Sequence, residues 1–412
     1  MKNGFQAYAN SFQTVSRLGL ERISELLAEL GNPESKVLCL HIAGTNGKGS
    51  VAAYLSAILT EAGYRTGLYT SPNLVSVTER IQISGERISQ SDLSELLARV
   101  EAACDRMQAR GSETPTQFEI WTAAAFLYFS EKKVDYVVLE TGLGGEYDAT
   151  NVISRNVLSI LTKIDLDHTQ YLGNTLAEIA HTKSKIIKAR CESGVTVISA
   201  QDNGSIPVVQ EEATAMGTKL IVAGKATIEG TEEIYEVISY DGMKGLRLGL
   251  GGIYQIENAC TAIECAKALG LSEDAIREGL MAAKNPARFE MIGKDPTVIY
   301  DGGHNPNGVR SLKASLDRYY PETPRTVVFA CMADKEFAPS LAMLNDGYSK
   351  FVFTTVQNNP RAMGAEALRD AAAEKGIAGE WAHDLKSAIA LAREKGDLVV
   401  VCGSLYLYAD LF

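Results

Sequence analysis

The first feature of the chain that could do chemistry is a glycine-rich run with one lysine. Residues 41–50 read His-Ile-Ala-Gly-Thr-Asn-Gly-Lys-Gly-Ser and stand between an apolar segment, 37–40, and a helix-like segment. A strand, a glycine-rich turn and a helix direct backbone N–H groups at one anionic site, and Lys48 adds a positive charge there. The pattern predicts a site for the phosphates of a nucleoside triphosphate. Gly49 separates Lys48 from Ser50, so the loop is a variant of the usual spelling, in which Ser or Thr directly follows Lys.

Three further polar segments each follow an apolar, strand-like segment. They read Thr70-Ser71-Pro72, Glu140-Thr141-Gly142 and Asp167-His168-Thr169. Because the carboxyl ends of parallel strands meet at one edge of a sheet, we expect Ser71, Glu140 and His168 to lie beside the phosphate loop. A hydroxyl, a carboxylate and an imidazole suit a magnesium ion that bridges phosphates. Each residue alone also fits a turn or a helix cap, so their common placement is what favours the metal site.

Two other polar features have weaker local signals. Lys183 lies in the helix-like segment 174–189, where a lysine taken alone predicts a solvated surface position. The run 301–306, Asp-Gly-Gly-His-Asn-Pro, follows an apolar segment and predicts a sharp polar turn. Such a turn fits contact with a ribose or a phosphate, and a turn without a ligand is the alternative.

The elements that position these residues alternate between strand-like and helical patterns. Predicted strands cover 37–43, 66–70, 135–141, 157–164 and 195–199, and predicted helices cover 50–62, 90–109, 117–131 and 174–189. Nearly continuous apolar strands between helices predict a parallel sheet that is covered on both faces. The expected fold class is α/β, with a P-loop NTPase-like N-terminal domain built on a mostly parallel sheet.

The second half of the chain begins with a different pattern. Residues 226–252 predict antiparallel hairpins, and helices follow to about residue 283. The run 285–288, Asn-Pro-Ala-Arg, breaks the helical pattern and is a candidate linker. A new alternation of strands and helices from 298 to 402 predicts a smaller, Rossmann-like C-terminal α/β domain. The expected domains are 1–288 and 295–412.

Composition and charge exclude several classes of protein. The net charge of −11 argues against nucleic acid or an anionic membrane as a partner, because binding to either needs a basic face. No uncharged segment approaches the length of a membrane span. The seven cysteines form no Cys-x-x-Cys pair, so we expect buried free thiols in a reducing compartment. The expectation is a cytoplasmic monomer whose partners are small molecules.

Taken together, the chain resembles the Mur ligase superfamily and, within it, the folylpolyglutamate synthase and dihydrofolate synthase family. The resemblance covers nearly the whole chain. It is carried by residues 18–22, 44–50 (Gly-Thr-Asn-Gly-Lys-Gly-Ser), 70–74, 79–81, 118–119, 140–145, 148–151 (Asp-Ala-Thr-Asn), 166–169, 288–290, 301–306 and 403–406. The additional Gly49 in the phosphate loop matches the loop of that family.

The resemblance implies an ATP- and Mg²⁺-dependent ligase that joins L-glutamate to a folate-type carboxylate through an acyl phosphate. The implied acceptor is tetrahydrofolate, dihydropteroate or both. The implied nucleotide-binding residues are Asn46, Gly47, Lys48, Gly49, Ser50, Asn258, Arg288, Asp301 and His304. The implied acceptor-binding residues are Phe118, Glu119, Tyr147, Asp148 and Ala149. The implied metal ligands are Ser71, Glu140 and His168, and the implied catalytic residues are Lys48, His168 and Lys183, the last as a carbamylated lysine.

Some positions depart from the usual pattern of the family. They are Asn73 for His, Glu146 for Arg, Lys163 and Asp165 for Asn and Gly, and the neighbours of Lys183. These departures leave two alternatives open: a divergent Mur-type ligase with a different carboxylate acceptor, and a nucleotide-binding paralogue that no longer ligates. A guanine-nucleotide switch protein is a third alternative, because residues 162–165 (Thr-Lys-Ile-Asp) resemble a guanine-reading motif. That class also needs Asp-x-x-Gly between the phosphate loop and this motif, and the sequence has none there.

Overall fold

The computed structural model describes residues 19–189 and 191–412, so Leu18 of the first family motif lies outside the described residues. The chain forms two compact units. Unit 1 extends to Ala226 and adds Tyr240–Met243 and Glu257–Ala283, and unit 2 comprises Thr227–Ser239, Lys244–Ile256 and Lys284–Phe412. Unit 2 therefore takes up two segments that precede residue 284. The predicted domain limits, 1–288 and 295–412, stay a prediction.

Unit 1 is built on an eight-stranded sheet. Its strands are β1 (Cys39–Ala43), β2 (Thr66–Tyr69), β3 (Ile81–Ile83), β4 (Glu86–Arg87), β5 (Tyr136–Glu140), β6 (Asn156–Leu161), β7 (Val195–Ile198) and β8 (Lys219–Val222). Their spatial order is β4-β3-β2-β5-β1-β6-β7-β8. In this spatial order the neighbouring strands from β2 through β5, β1, β6 and β7 to β8 are all parallel. Strand β3 pairs antiparallel with both β2 and β4 at the edge of the sheet. Every residue of β1 and β6 is buried, as expected for strands that are covered on both faces.

Helices and short 3₁₀ segments connect these strands. The helices that lie wholly or mainly in unit 1 are α1 (Glu21–Glu29), α2 (Lys48–Glu61), α3 (Gln90–Ala109), α4 (Gln117–Lys132), α5 (Thr169–Leu172), α6 (Leu176–Ser184), α7 (Ser205–Ala215), α8 (Gln255–Ala268) and α9 (Glu273–Ala282). The 3₁₀ segments are Pro33–Lys36, Val77–Arg80 and Ala149–Val152. Helices α2 and α4 are apolar on nearly all sides and are largely buried, so they belong to the core rather than to its surface.

Helix α6 ends at Ser184, five residues before the predicted end at 189. The carbonyl of Lys185 accepts a hydrogen bond from the Asn151 side chain, and the carbonyl of Ile186 accepts one from Ser159. Ile186 itself is fully buried. These tertiary contacts use carbonyl groups that a continued helix would pair with its own N–H groups, so the chain leaves the helix at this point.

A three-stranded antiparallel sheet follows, as predicted for 226–252. It consists of β9 (Thr227–Glu232), β10 (Tyr235–Tyr240) and β11 (Met243–Arg247), in the order β11-β10-β9. Strand β10 alternates half-buried and buried residues, which is the pattern of a sheet with one covered face.

Unit 2 contains a six-stranded sheet in the order β12-β13-β17-β14-β15-β16. The strands are β12 (Glu290–Gly293), β13 (Thr297–Tyr300), β14 (Arg325–Phe329), β15 (Ser349–Phe353), β16 (Glu380–Trp381) and β17 (Leu398–Cys402). The helices are α10 (Pro306–Tyr319), α11 (Ala338–Leu344), α12 (Ala365–Ala373) and α13 (Leu385–Arg393), and a 3₁₀ segment covers Leu405–Leu411. Only β12 is antiparallel, so the predicted α/β class is confirmed for both units.

Two further properties concern the chain as a whole. In the described ranges, no helix combines the length and the apolar character that crossing a membrane requires. All seven cysteines lie within those ranges as free thiols; Cys191 is half-buried and the other six are buried.

Candidate active site

The strand order of unit 1 places the predicted site segments side by side. Strand β1 lies between β5 and β6, and β2 lies on the other side of β5. The phosphate loop follows β1, Ser71 follows β2, Glu140 ends β5, and the segment 163–168 follows β6. Because these four strands are parallel, all four segments leave the same edge of the sheet.

The phosphate loop has the geometry of an anion cradle. Helix α2 begins at Lys48, directly after Gly47, whose φ of 92° is in the left-handed region. The Lys48 Nζ donates to the carbonyls of Gly44 (3.1 Å) and Thr45 (3.3 Å). Ser50, in the first turn of α2, is buried. The first N–H groups of a helix have no partner within the helix, and a helix start of this kind favours an anion.

Two amide side chains belong to this cradle. A Cβ at position 47 would overlap Oδ1 of Asn258, so the glycine is required by close approach as well as by its φ. Asn258, predicted from the family resemblance, therefore lies beside the loop, although 211 positions separate it from Gly47 in the sequence. The Asn46 Nδ2 is buried and has no hydrogen-bond partner in the described part of the protein. A donor in this state fits a phosphate oxygen.

The segment after β6 supports the phosphate loop through its main chain. The N–H groups of Thr45 and Asn46 both donate to the carbonyl of Lys163 (2.8 and 3.2 Å). The Thr45 hydroxyl accepts from the N–H of Asp165 and donates to its carbonyl, both at 3.0 Å. Lys163 and Asp165 are departures from the family pattern, and main-chain contacts of this kind do not depend on the side chain present. The Lys163 side chain adds an ion pair with Glu257 at 3.1 Å.

Two of the three predicted metal ligands are in direct contact. The Glu140 carboxylate is nearly fully buried, and its Oε2 accepts from the N–H of Ser71 at 3.2 Å. His168 immediately precedes helix α5 and has a φ of 48°, and its side chain is 45% exposed, with Nε2 3.9 Å from Asp167 Oδ1. Within residues 19–189 and 191–412, no three His, Cys, Asp or Glu side chains gather as a ready-made metal site. The shared magnesium ion stays a prediction.

Lys183 is not the solvated surface residue that its local sequence indicates. Its side chain is buried, and Nζ donates to the carbonyl of Gly44 at 2.8 Å, the same oxygen that Lys48 contacts. Burial, and next the charge of Lys48, lower the pKa of Lys183 to about 7, and the charges of Asp167 and Asp148 oppose that shift. The fold thus brings a lysine of low basicity to the phosphate loop.

Glu119 and Phe118, two predicted acceptor-binding residues, lie at the start of α4. The Phe118 ring packs on Gly142, and its centroid is 6.2 Å from the Tyr69 ring. The buried Glu119 carboxylate forms an ion pair with Arg22 (3.2 Å) and accepts from the N–H of Thr116 at 2.6 Å, which closes a capping box. Glu119 thereby fixes the first turn of the helix that carries Phe118.

The other predicted acceptor-binding residues lie in the loop after β5. Tyr147 is 46% exposed, whereas Asp148 and Ala149 are buried. The Asp148 carboxylate accepts from the N–H of Leu143 (2.8 Å) and from the N–H (3.0 Å) and hydroxyl (2.5 Å) of Thr150. Burial raises the pKa of Asp148, and these hydrogen bonds oppose the rise.

The predicted nucleotide-binding residues of unit 2 are Arg288, the buried Asp301 and the exposed His304. Asp301 accepts from the Tyr254 hydroxyl (2.8 Å), the N–H of Phe289 (3.0 Å) and the N–H of Gly303 (2.7 Å). Burial raises the pKa of Asp301, and the charge of Arg288 opposes this first among the remaining causes. His304 is exposed, with Nδ1 3.0 Å from the carbonyl of Gly302. The predicted ATP contacts of these residues stay a prediction.

Sequence reasoning assigned no role to four polar residues that organise these groups. They are Arg22, His41, Thr150 and Tyr254. His41 offered a signal, since it is a polar residue inside an otherwise apolar strand that leads into the phosphate loop. Arg22 and Thr150 lie in the motif segments 18–22 and 148–151, which carry the resemblance but do not reveal the contacts of these residues. Tyr254 lies outside every motif, so its contact with Asp301 had no local signal.

Comparison with known proteins agrees with this geometry. The model of the Mur ligase middle domain matches residues 42–266, and the model of the Mur ligase glutamate ligase domain matches residues 287–405. The dihydrofolate synthase/folylpolyglutamate synthase of Bacillus subtilis is 33% identical over 411 residues, which covers 95% of this chain and 94% of that protein. The folylpolyglutamate synthase of Lacticaseibacillus casei is 34% identical over 423 residues, covering 97% and 95%. The chain belongs to this family of Mur ligases.

Solved structures of similar proteins have the same fold as this Mur ligase. Mycobacterium tuberculosis folylpolyglutamate synthase, complexed with ADP and AMPPCP, superposes with a TM-score of 0.87 at 32% identity and covers 96% of this chain and 95% of its own. E. coli FolC in complex with DHPP and ADP superposes with a TM-score of 0.85 at 30% identity, covering 98% and 95%. The predicted family and ligase class are confirmed.

Proposed function

We propose that this Mur ligase uses ATP to add L-glutamate to a folate-type acceptor, either a reduced folate or dihydropteroate. The observation that carries the proposal is the row of four segments at one sheet edge, with the phosphate loop between Glu140 and the segment 163–168. Relatives of nearly equal length that are named dihydrofolate and folylpolyglutamate synthases support the substrate class. A solved relative with ADP and AMPPCP supports the nucleotide.

The proposed reaction has two steps. A carboxylate oxygen of the acceptor attacks the γ-phosphorus of ATP, the bond from that phosphorus to the bridging oxygen of ADP breaks, and an acyl phosphate forms. The amino nitrogen of glutamate then attacks the acyl carbon, phosphate leaves, and the nitrogen loses a proton. Neither step needs a covalent protein nucleophile, so the demand on the protein is positioning and charge neutralisation.

The phosphate loop supplies much of that neutralisation. Lys48 donates to two neutral carbonyls in this structure, and the oxygens of the β- and γ-phosphates would be charged and therefore stronger acceptors. Asn46 adds an amide donor that has no partner in the described part of the chain. The N–H groups of Gly49 and Ser50 stand at the start of α2, where the helix dipole favours an anion.

The residues at the ends of β2 and β5 fit a magnesium ion. Glu140 offers a buried carboxylate, Ser71 offers a hydroxyl, and the buried hydroxyl of Thr141 has no hydrogen-bond partner in the described part of the chain. Oxygen donors of this kind are what Mg²⁺ prefers in proteins. We propose that Ser71 and Glu140, with His168, hold the ion. When bound, Mg²⁺ would supply positive charge that neutralises the phosphate groups of the nucleotide.

We further propose that Lys183 is carbamylated in the active enzyme. Because the pKa of Lys183 is about 7, about half of the protein molecules carry this side chain as a neutral amine near pH 7. The amine nitrogen can attack CO₂ with release of one proton. The product is a carboxylate beside Lys48, so the repulsion between two ammonium groups becomes an attraction. The family resemblance implies that such a carboxylate supports a second magnesium ion.

The carbamate proposal is tested with labelled bicarbonate. Protein incubated with ¹³C-bicarbonate is expected to show a carbamate carbon signal that is absent from Lys183→Ala. Activity is expected to rise with added bicarbonate in the wild type only. Full activity of Lys183→Ala would overturn the proposal.

Aromatic side chains near the β5 loop suit a flat acceptor. Tyr147 exposes its ring and Phe118 is half-buried, and both rings can pack against a heteroaromatic group. The carboxylates of Glu119 and Asp148 already accept hydrogen bonds from protein donors. We propose that Glu119 and Asp148 serve the acceptor by holding Phe118 and the β5 loop in place, and that buried Ala149 packs beneath that loop.

The deciding assay supplies ATP, Mg²⁺ and L-glutamate with either dihydropteroate or a reduced folate and identifies the product by mass. A gain of one glutamate residue, with one ADP released per product, is the expected result. Omission of glutamate is the matched control and should abolish product. A protein that binds ATP but forms no product with either acceptor would overturn the acceptor class, and a protein that does not bind ATP would overturn the whole proposal.

The free thiols of this Mur ligase bear on its compartment. Seven unpaired cysteines fit a reducing environment, in which disulfides do not persist. We therefore propose that the reaction takes place in the cytoplasm.

A further inference from the structure

A buried series of hydrogen bonds starts in β1, the strand that precedes the phosphate loop. His41 in β1 is fully buried, and its Nε2 lies 2.8 Å from the hydroxyl oxygen of Thr150. The Thr150 hydroxyl donates to Oδ1 of Asp148 at 2.5 Å. Because a hydroxyl has a single hydrogen, His41 must carry its own proton on Nε2 and donate it to Thr150. The order of donation is therefore His41 to Thr150 to Asp148.

The other ring nitrogen of His41 is left without a partner. Nδ1 is buried and accepts no hydrogen bond from residues 19–189 or 191–412. Burial, and next the charge of Lys188, lower the pKa of His41 to about 3, so the imidazole is neutral at working pH. A buried polar atom without a partner costs free energy that an apolar side chain in β1 would avoid. The imidazole is therefore poorly explained as core packing alone.

Asp148, the last residue of this series of hydrogen bonds, holds the turn that follows Glu140. Oδ2 of Asp148 accepts from the N–H of Leu143 at 2.8 Å, and the N–H of Gly142 also lowers the pKa of this carboxyl group. These are the third and second residues after Glu140, whose strand runs parallel to the strand of His41. The series of hydrogen bonds thus connects β1 to the turn at the end of its neighbour β5.

The same turn packs on the segment that carries Lys183. A Cβ on Gly145 would lie 2.7 Å from the Lys183 carbonyl and 2.8 Å from that of Thr182, so the two backbones are in close contact. The N–H of Glu146 donates to the carbonyl of Thr182 at 3.0 Å. The turn 142–146 therefore lies between Glu140 on one side and Lys183 on the other.

We infer that His41 is a positioning residue, and that its hydrogen bond through Thr150 to Asp148 fixes the turn 142–146 and with it the metal-binding geometry at Glu140. This inference rests on the proposed function for the identity of the metal. It assigns to His41 and Thr150 a role at a distance from the substrates. The consequence is that the Mg²⁺-dependent part of nucleotide binding depends on a hydrogen-bond donor at position 41.

Two pairs of variants test the inference. His41→Leu and Thr150→Val remove the hydrogen bond, whereas His41→Gln and Thr150→Ser keep a donor at each position. Outer-shell partners of metal ligands contribute about 10- to 100-fold in affinity. His41→Leu and Thr150→Val are therefore expected to weaken ATP binding at least about tenfold with Mg²⁺ and less than about twofold in EDTA. His41→Gln and Thr150→Ser are expected to stay within about threefold of the wild type in both conditions.

A spectroscopic measurement checks the assigned tautomer without any ligand. Long-range ¹H–¹⁵N spectra of histidine-labelled protein, which has five histidines, are expected to show one ring that stays in the neutral Nε2–H form from about pH 5.5 to about pH 8.5. The signals of that ring should disappear in His41→Leu and shift in Thr150→Val. If His41→Leu does not fold, the nearly isosteric Thr150→Val provides the test.

The outcomes separate this inference from the proposed function. Unchanged Mg²⁺-dependent affinity in folded His41→Leu or Thr150→Val would overturn the inference, as would equal losses in His41→Leu and His41→Gln. If the wild type binds Mg²⁺–ATP, shows the expected variant pattern and forms no glutamate product, then the positioning role stands and the proposed acceptor fails. If the wild type ligates glutamate and the variants match it, the positioning role fails alone.

Discussion

Replacing Lys183 by methionine should change how the stability of unit 1 depends on pH. Burial and the charge of Lys48 lower the folded-state pKa of Lys183 from 10.5 to about 7. Between these two values the unfolded chain binds more protons at this site than the folded chain does. Stability therefore rises with pH in the wild type over that range, and this contribution is missing from the Lys183→Met variant.

The size of the effect follows from the two pKa values. From about pH 7 to about pH 9 the proton excess of the unfolded chain at this side chain grows from about half a proton to nearly one, so the free energy of unfolding should increase by roughly 2 kcal/mol. Below about pH 6 Lys183 is protonated in both states, and the whole cost of burying the ammonium group is present. There the Lys183→Met variant should be the more stable protein, by a margin that shrinks as the pH rises.

The two tryptophans allow the measurement to be confined to unit 1. Trp121 is buried in unit 1 and Trp381 lies on β16 in unit 2, so Trp381→Phe leaves a single reporter in unit 1. Denaturant unfolding of the Trp381→Phe protein, with and without Lys183→Met, is followed by fluorescence at several pH values in CO₂-free buffer. Lys219→Met, at an exposed position of β8, is the matched control for loss of a lysine.

The result that would refute the reasoning is a parallel pH dependence. If the two unfolding free energies differ by a constant from about pH 7 to about pH 9, then the proton affinity of Lys183 is the same in the folded and unfolded states. A second check uses Lys48→Met, which removes the neighbouring charge. That change should raise the pKa of Lys183 and make the stability of unit 1 less dependent on pH.

Three further predictions concern charges in unit 1. Lys48→Ala removes the cation of the phosphate loop and should lower ATP turnover by about 10²- to 10³-fold, measured as ADP release, while the melting curve shows that the variant is folded. Arg22→Leu leaves the buried Glu119 carboxylate without its guanidinium and should reduce the free energy of unfolding by about 3–5 kcal/mol, part of which Glu119→Gln in the same chain should restore. Lys163→Glu and Glu257→Lys each break the exposed ion pair beside the phosphate loop and should each weaken ATP binding by less than about 1 kcal/mol. A protein with both substitutions that binds ATP no more tightly than either single variant would contradict the pairing.

Much of the fold could be predicted because its determinants are local. The phosphate loop needs left-handed backbone at Gly47 and a helix start at Lys48, and both requirements appear in ten consecutive residues, 41–50. The strand-end positions of Ser71 and Glu140 follow from the apolar runs before them and from the parallel sheet that such runs form. The hairpins at 227–247 follow from their turn residues and alternation.

The tertiary structure alone decided which polar residues are buried. Lys183 looks like a surface residue in its helix, yet it contacts Gly44, which is 139 positions away in the sequence, and burial together with the nearby charge of Lys48 lowers its basicity. Glu119 looks like a free carboxylate, yet it pairs with Arg22, 97 positions away. Burial and charge pairing depend on which segments the folded chain brings together, and no local pattern of residue types contains that information. The amino-acid sequence thus reveals the phosphate-binding chemistry, and the folded chain determines which lysine and which carboxylates are tuned to serve it.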